Sequence, residues 1–236
     1  MAVRGVNKGG RLILFDLDGT LVDVFECHIA GTRAALGAVY GIDEFAMSPT
    51  FTGRPITSVI RMAGQVSGLS PEVIEHRLTE ALRVKTETTI AALGNDLRSA
   101  ILQGAMHLLD ALKQRGHGLA LVTGTVQKAA RIILRRTHLD RHFPVCAFGD
   151  EAEERLDLVR LVLDRAAKTY DLRPGTTELV VVGDAPVDIQ VGQEIGARTV
   201  AVATGMHELD DLARYCPDVL LPDLQDWPAA LQAIEE

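Results

Sequence analysis

The chain has 236 residues, 47% of them hydrophobic and 24% charged, a composition that describes a globular protein with a sizeable core and excludes disorder. A formal net charge of −8 without a long basic run argues against a nucleic-acid or membrane partner, so an anionic ligand would need positive charge supplied locally. Cys27, Cys146 and Cys216 are odd in number and widely spaced, Met1 to Gly10 lacks the apolar stretch of a signal peptide, and no run is long enough to span a bilayer, so the expected location is cytoplasmic.

The first strong element is the apolar run from Leu12 to Phe15, which reads as a buried strand ending in Asp16-Leu17-Asp18-Gly19-Thr20. Two residues apart on extended backbone, Asp16 and Asp18 are expected to project to the same side, where their charges repel unless a cation or a shared proton relieves them. Gly19 permits a sharp turn, and Thr20 offers a hydroxyl beside the acids. From Val24 the pattern turns helical as far as Gly37 and Gly41, then again over Pro55 to Ala63 and from Pro71 to about Leu93, with Ser70 as a cap. With no strand signal between 24 and 95, that stretch is expected to be an all-helical unit inserted into a second domain formed by 1–23 and 96–236.

Beyond Arg98, strands and helices alternate. A helix over Ala105 to Arg115 precedes the apolar run Leu119 to Val122, which ends at Thr123-Gly124-Thr125. A helix from about Val126 to Arg136, a short strand at Val145 to Phe148 and a helix from Leu156 to Tyr170 follow. Leu179 to Val182 is the clearest strand, succeeded by a helix from Pro186 to Ile195 and strands at Arg198 to Val202 and Val219 to Leu221. Trp227 and the tail are expected to pack on the core. Apolar strands alternating with helices predict an α/β fold with a doubly wound parallel sheet, in which ligands bind beyond the carboxyl ends of the strands. Polar clusters follow three of these strands: Asp16 with Asp18, Thr123 with Gly124, and Asp184 with Asp188. The four-residue step from Asp184 to Asp188 points both carboxylates to the same edge as Asp16 and Asp18, and such a set of hard oxygen donors suits magnesium.

Phe15-Asp16-Leu17-Asp18-Gly19-Thr20-Leu21-Val22-Asp23 resembles the first signature of the haloacid dehalogenase superfamily, and Gly183-Asp184 to Asp188 its fourth. Most members are magnesium-dependent phosphatases, and the resemblance implies a Rossmann-like core with an inserted helical cap. By that resemblance Asp16 is the nucleophile that forms an aspartyl-phosphate. Asp18 is the general acid and base, with a pKa expected above its neighbour's, and its backbone carbonyl ligates the metal. Asp16, Asp18, Asp184 and Asp188 together are the expected metal set. Thr123 and Gly124 match the second signature and would bind the phosphoryl oxygens.

The third signature departs from the family pattern, because the helix between the second and fourth lacks its usual Lys near the start. Arg155 stands there and is the preferred replacement, able to bind phosphate oxygens in a bidentate way; Lys168 lies several turns along, and a surface salt bridge to Glu151 or Glu154 is the bland alternative for either cation. Thr52-Gly53-Arg54-Pro55 resembles the loop by which such caps reach into the core site, which makes Arg54 a candidate contact for the substrate. The seven histidines form no ligand spacing and read as surface or packing residues. The expected activity is hydrolysis of a small phosphorylated metabolite by a monomer or homodimer. A sugar-phosphate mutase, which tends to carry an aliphatic residue where Thr20 stands, and a non-catalytic sensor of phosphorylated metabolites are the rival readings.

Overall fold

A computed structural model describes residue 6, residues 10–172 and residues 177–236. Gly9 and most of the residues before the first strand lie outside the described residues. Six parallel strands form one sheet in the order β3-β2-β1-β4-β5-β6. They are β1 (Leu12–Phe15), β2 (Gly118–Val122), β3 (Val145–Ala147), β4 (Leu179–Gly183), β5 (Arg198–Val202) and β6 (Val219–Leu221). The chain builds outward from β1 through β2 to β3, then returns to the other side of β1 for β4, β5 and β6. The strand order therefore reverses at β1, and the crevice that opens at such a reversal lies beyond its carboxyl end.

Side-chain alternation divides the core into two layers. Ile13 and Phe15 face α4 (Ala105–Arg115), α5 (Gln127–Thr137) and the C-terminal helix α9 (Trp227–Glu235). Leu12 and Leu14 face the other way, onto α6 (Arg155–Tyr170) and α7 (Pro186–Glu194). All four residues of β1 are buried, as a central parallel strand covered on both faces requires. The sequence reading placed these strands and helices to within a few residues. It did not predict α8 (Leu209–Ala213) or the helical form of the tail, where Asp226 caps α9 by accepting from Ala229 N–H at 3.2 Å.

Between β1 and α4 the long elements are α1 (Phe25–Tyr40), α2 (Ile56–Val66) and α3 (Pro71–Ala92). Ser70 caps α3 by accepting from Val73 N–H, as its position before Pro71 predicts. These helices share a core of their own, including Ala35, Val39, Ile60 and Ala81, which extends onto Val126 and Ala129 at the start of α5. The chain leaves and re-enters the sheet domain side by side: Asp23 N–H donates to Ala100 C=O at 2.8 Å and Leu102 N–H to Leu21 C=O at 3.0 Å. Among the described residues no helix is long and apolar enough to cross a membrane. All three cysteines are free.

One side chain completes the sheet where a strand is too short. The first residue of β3 pairs with Ala120, so Leu119 lies past its end. The Tyr170 hydroxyl takes the strand's place there, accepting from Leu119 N–H at 3.1 Å and donating to Leu119 C=O at 2.7 Å. Tyr170→Phe leaves both buried backbone groups without a partner and is expected to cost about 1–3 kcal/mol in urea denaturation; a loss below about 0.5 kcal/mol would show that the hydroxyl has no such role.

Candidate active site

The carboxyl ends of β1, β2 and β4 bring together the residues singled out in the sequence. Asp16 continues β1, its N–H donating to Val182 C=O at 3.0 Å, and is buried. Gly19 turns the chain with φ +90°, and Thr20 donates from Oγ1 to Asp184 Oδ1 at 2.8 Å, so the predicted hydroxyl beside the acids is bonded to the far pair. Asp184 follows β4 and Asp188 sits in the first turn of α7, both buried. Carboxylate oxygens of Asp16, Asp184 and Asp188 all lie within 4.8 Å of one another.

Arg155 is the cation at this cluster. As the first residue of α6 it is buried, and its Nη2 donates to Asp16 Oδ1 at 2.6 Å, Asp188 Oδ1 at 2.8 Å and Val122 C=O at 3.0 Å. The salt bridge to Glu151 or Glu154 does not form; Glu151 pairs with Arg165 instead. The expected fork onto phosphate oxygens is not what the guanidinium presents. Nη1 is buried without a partner among the described residues, and Arg155 lines a small space behind Asp16, among Leu14, Val122, Val159, Val181 and Val191.

Three carboxylates against one guanidinium leave two formal negative charges in a buried site. Burial pushes the Asp16 carboxyl up to about 7, with Arg155 acting against the rise and Asp188 and Asp18 adding to it. Burial likewise raises Asp184 well above the usual carboxylate range, helped by Asp16 and Asp188, and raises Asp188 despite Arg155. Oxygen-only donors, crowded and short of two positive charges, fit a divalent cation such as magnesium.

Asp18 stands apart from the trio. Its Oδ1 lies 3.0 Å from His28 Nε2, and Thr125 Oγ1 donates to its Oδ2 at 2.8 Å. Burial acts to raise its pKa, but His28, Thr125 and Lys85 outweigh it and hold the group below the ordinary value. This is opposite to the expected order, in which Asp18 titrates above Asp16. The physical reason is that His28, Thr125 and Lys85 together outweigh burial at Asp18, while at Asp16 burial and the neighbouring Asp188 and Asp18 outweigh the one guanidinium. His28 also corrects the reading of all seven histidines as surface or packing residues, since it lines the cavity at the strand ends and bonds Asp18.

That cavity measures about 90 Å³ and lies between the sheet edge and α1–α3, with Asp16, Asp18, Thr123, Gly124 and Arg54 in its wall. Thr123 is buried after β2, and its Oγ1 accepts from Thr125 N–H at 3.1 Å. Gly124 is required by close approach: a Cβ there would overlap the Arg54 carbonyl, and Ile56 N–H donates to Gly124 C=O at 2.9 Å. The loop carrying Arg54 thus rests on the second polar cluster, while the Arg54 side chain donates from Nε to Thr50 C=O at 2.9 Å. From the sheet domain, His207 Nε2 meets Thr52 Oγ1 at 2.9 Å. Thr125, His28 and Lys85 are the site residues that the sequence reading did not single out.

With the geometry in place, comparison with known proteins gives a consistent result. The profile described as Haloacid dehalogenase-like hydrolase matches residues 13–202. Tyrosine-protein kinase PtkA of Mycobacterium tuberculosis is 27% identical over 205 residues, which cover 86% of this chain and 66% of that relative's length. The 5'-nucleotidase of Pseudomonas aeruginosa is 29% identical over 231 residues, covering 95% of each chain. Among solved structures, a hydrolase from Pseudomonas syringae has the same fold, with a TM-score of 0.73 and 23% identity over 95% of this chain and 99% of its own. The chain belongs to the haloacid dehalogenase-like hydrolases.

Proposed function

We propose that this protein is a magnesium-dependent phosphatase that hydrolyses a small phosphate monoester through an aspartyl-phosphate on Asp16. The observation that carries the reading is the buried trio of Asp16, Asp184 and Asp188 facing one guanidinium at the strand ends. Relatives that include a 5'-nucleotidase support phosphoryl chemistry of this kind. Residues 24–95 are taken as the cap, and 1–23 with 96–236 as the catalytic core.

The metal would be held by the carboxylates of Asp16, Asp184 and Asp188 and by the backbone carbonyl of Asp18. When bound, magnesium would supply positive charge that lets an anionic nucleophile approach an anionic phosphoryl group. Asp16 would attack from the end of β1, a role supported by Arg155 holding one of its oxygens so that the other is free to react. Arg155 also fixes Asp188, and so keeps the two acids at a set spacing. Thr123 and the backbone N–H of Gly124 would donate to the phosphoryl oxygens. Thr20 holds Asp184 in orientation. Asp18 would give a proton to the leaving alcohol as the aspartyl-phosphate forms and take one back from the water that hydrolyses it, with His28 and Thr125 holding its carboxyl in place. The cap would close over the site against bulk water, and Arg54 lines the cavity that it covers.

Phosphate release from a panel of phosphate monoesters, with magnesium and with excess chelator, tests this reading. Turnover is expected only with the metal, and Asp16→Asn is expected to lower kcat by at least about 10⁴-fold with the fold intact. Full activity in Asp16→Asn would remove Asp16 as the nucleophile.

The raised carboxyls also set a pH dependence for the metal-free protein. The folded Asp16 keeps its proton up to about 7, whereas the unfolded chain loses it near the ordinary value of 3.8. The contribution to stability is therefore complete below the lower value and lost as pH rises through the upper one. In chelator, Asp184→Asn is expected to have a higher Tm than the parent chain, by a margin that widens between about pH 5 and pH 7.5, because it removes one of the coupled acids. Magnesium should reverse the order at the higher pH. A margin that is constant with pH would contradict the coupling.

A further inference from the structure

Lys85 is buried deep in the helical unit at 1% exposure, and beyond its pull on Asp18 the chemistry above gives it no contact with the substrate. It projects from α3 into the same cavity as Asp16 and Asp18. Among the described residues its one hydrogen-bond partner is His28 Nδ1, at 3.0 Å, and no carboxylate forms an ion pair with it. The two helices come close enough for this contact because α1 has Gly31 where α3 crosses: a Cβ there would overlap Thr89 Oγ1 and press on the Lys85 carbonyl. His28 and Lys85 lie one turn earlier on their respective helices.

An ammonium has three protons to donate, and one of them goes to His28. With Lys85 donating to Nδ1, the N–H of the ring that faces Asp18 is the one on Nε2. Two ammonium protons are left for the cavity. Burial pulls the Lys85 pKa down to about 8, with Asp18 acting against the fall, which leaves the group mostly charged at neutral pH. The surrounding wall from the cap is largely apolar: Phe25, Ile29, Met47, Phe51, Ile56 and Val59. A buried cation without a carboxylate partner is costly in such surroundings, and an incoming anion would offset that cost.

We infer that Lys85 is a specificity-determining residue that receives a second anionic group, a carboxylate or a second phosphate, carried on a short leaving group of the phosphorylated substrate. The inference rests on the phosphatase reading of the same cavity. A neutral leaving group of equal size would leave the ammonium unpaired in an apolar wall. Lys85 and Asp16 line one cavity of about 90 Å³, so the second anion and the reacting phosphate would be joined by a short spacer.

Non-hydrolysable phosphonates test this without relying on turnover. The full chain in magnesium is titrated calorimetrically with 3-phosphonopropionate, propane-1,3-diphosphonate and the uncharged-tail control propylphosphonate. At least one of the two doubly functional probes is expected to bind about tenfold or more tighter than the control, as one charge-assisted hydrogen bond predicts. That advantage should largely disappear in Lys85→Met, or in Lys85→Gln should the first variant fail to fold. Preference for the carboxylate or for the second phosphonate identifies which anion the site takes. Equal affinity for all three probes, a preference that survives in the variant, or no binding of any probe would overturn the inference. Phosphate release from the monoester panel, measured in parallel, shows separately whether the phosphatase reading stands.

Discussion

The arrangement on which the site depends is one guanidinium nitrogen held between two buried carboxylates. Arg155 Nη2 touches Asp16, Asp188 and the Val122 carbonyl together, and so ties the ends of β1 and β2 to the first turn of α7. An arginine in this place cannot give up its charge to its surroundings as a buried lysine can, because its protonated form persists under all ordinary conditions. Its charge still covers only one of the three acids. The excess shows in the raised carboxyls of Asp16, Asp184 and Asp188, and it is an excess that a divalent cation matches in sign and size.

The topology accounts for how these groups meet. Asp16, Thr123 and Asp184 each follow a strand, and those strands are neighbours in the sheet, with β1 paired to both β2 and β4. Parallel pairing brings their carboxyl ends to one edge, so residues more than a hundred positions apart share one crevice. The helical unit closes that crevice from above. Its loop lies against Gly124 where a side chain would not fit, and its helices contribute His28 and Lys85 to the wall. The acids come from the strand ends and His28 and Lys85 from the helical unit, so both parts of the chain line one cavity.

Much of this was legible in the sequence. The apolar runs that end in Asp16, Thr123 and Asp184 mark three strand ends, and alternation with helices made parallel pairing the simple solution. The position of Arg155 at the head of a helix identified it as the replacement cation, although its geometry differs: it binds the acids and does not open toward the cavity at the strand ends. Lys85 was missed for a reason that periodicity itself could have supplied. Ile74, Leu78 and Ala81 form the buried stripe of α3, and the next position on that stripe is Lys85. A lysine on a buried face is the signal, and a reading that counts only apolar residues passes over it. His28 lies on α1 beside Thr32, and its role depends on a tertiary crossing that no local pattern encodes. Helix α9 carries Ala230, Leu231 and Ile234 at helical spacing behind a capping Asp226, so its omission reflects attention to Trp227 alone.

The central claim is that the buried acids and Arg155 together form a divalent-cation site at the nucleophile. Anomalous diffraction from crystals soaked in manganese, used in place of magnesium, locates such an ion directly. The account predicts one strong anomalous peak bonded to Asp16, Asp184 and Asp188, with the Arg155 contacts to Asp16 and Asp188 retained. A peak elsewhere, or an empty site at saturating metal with the acids still in place, would contradict it.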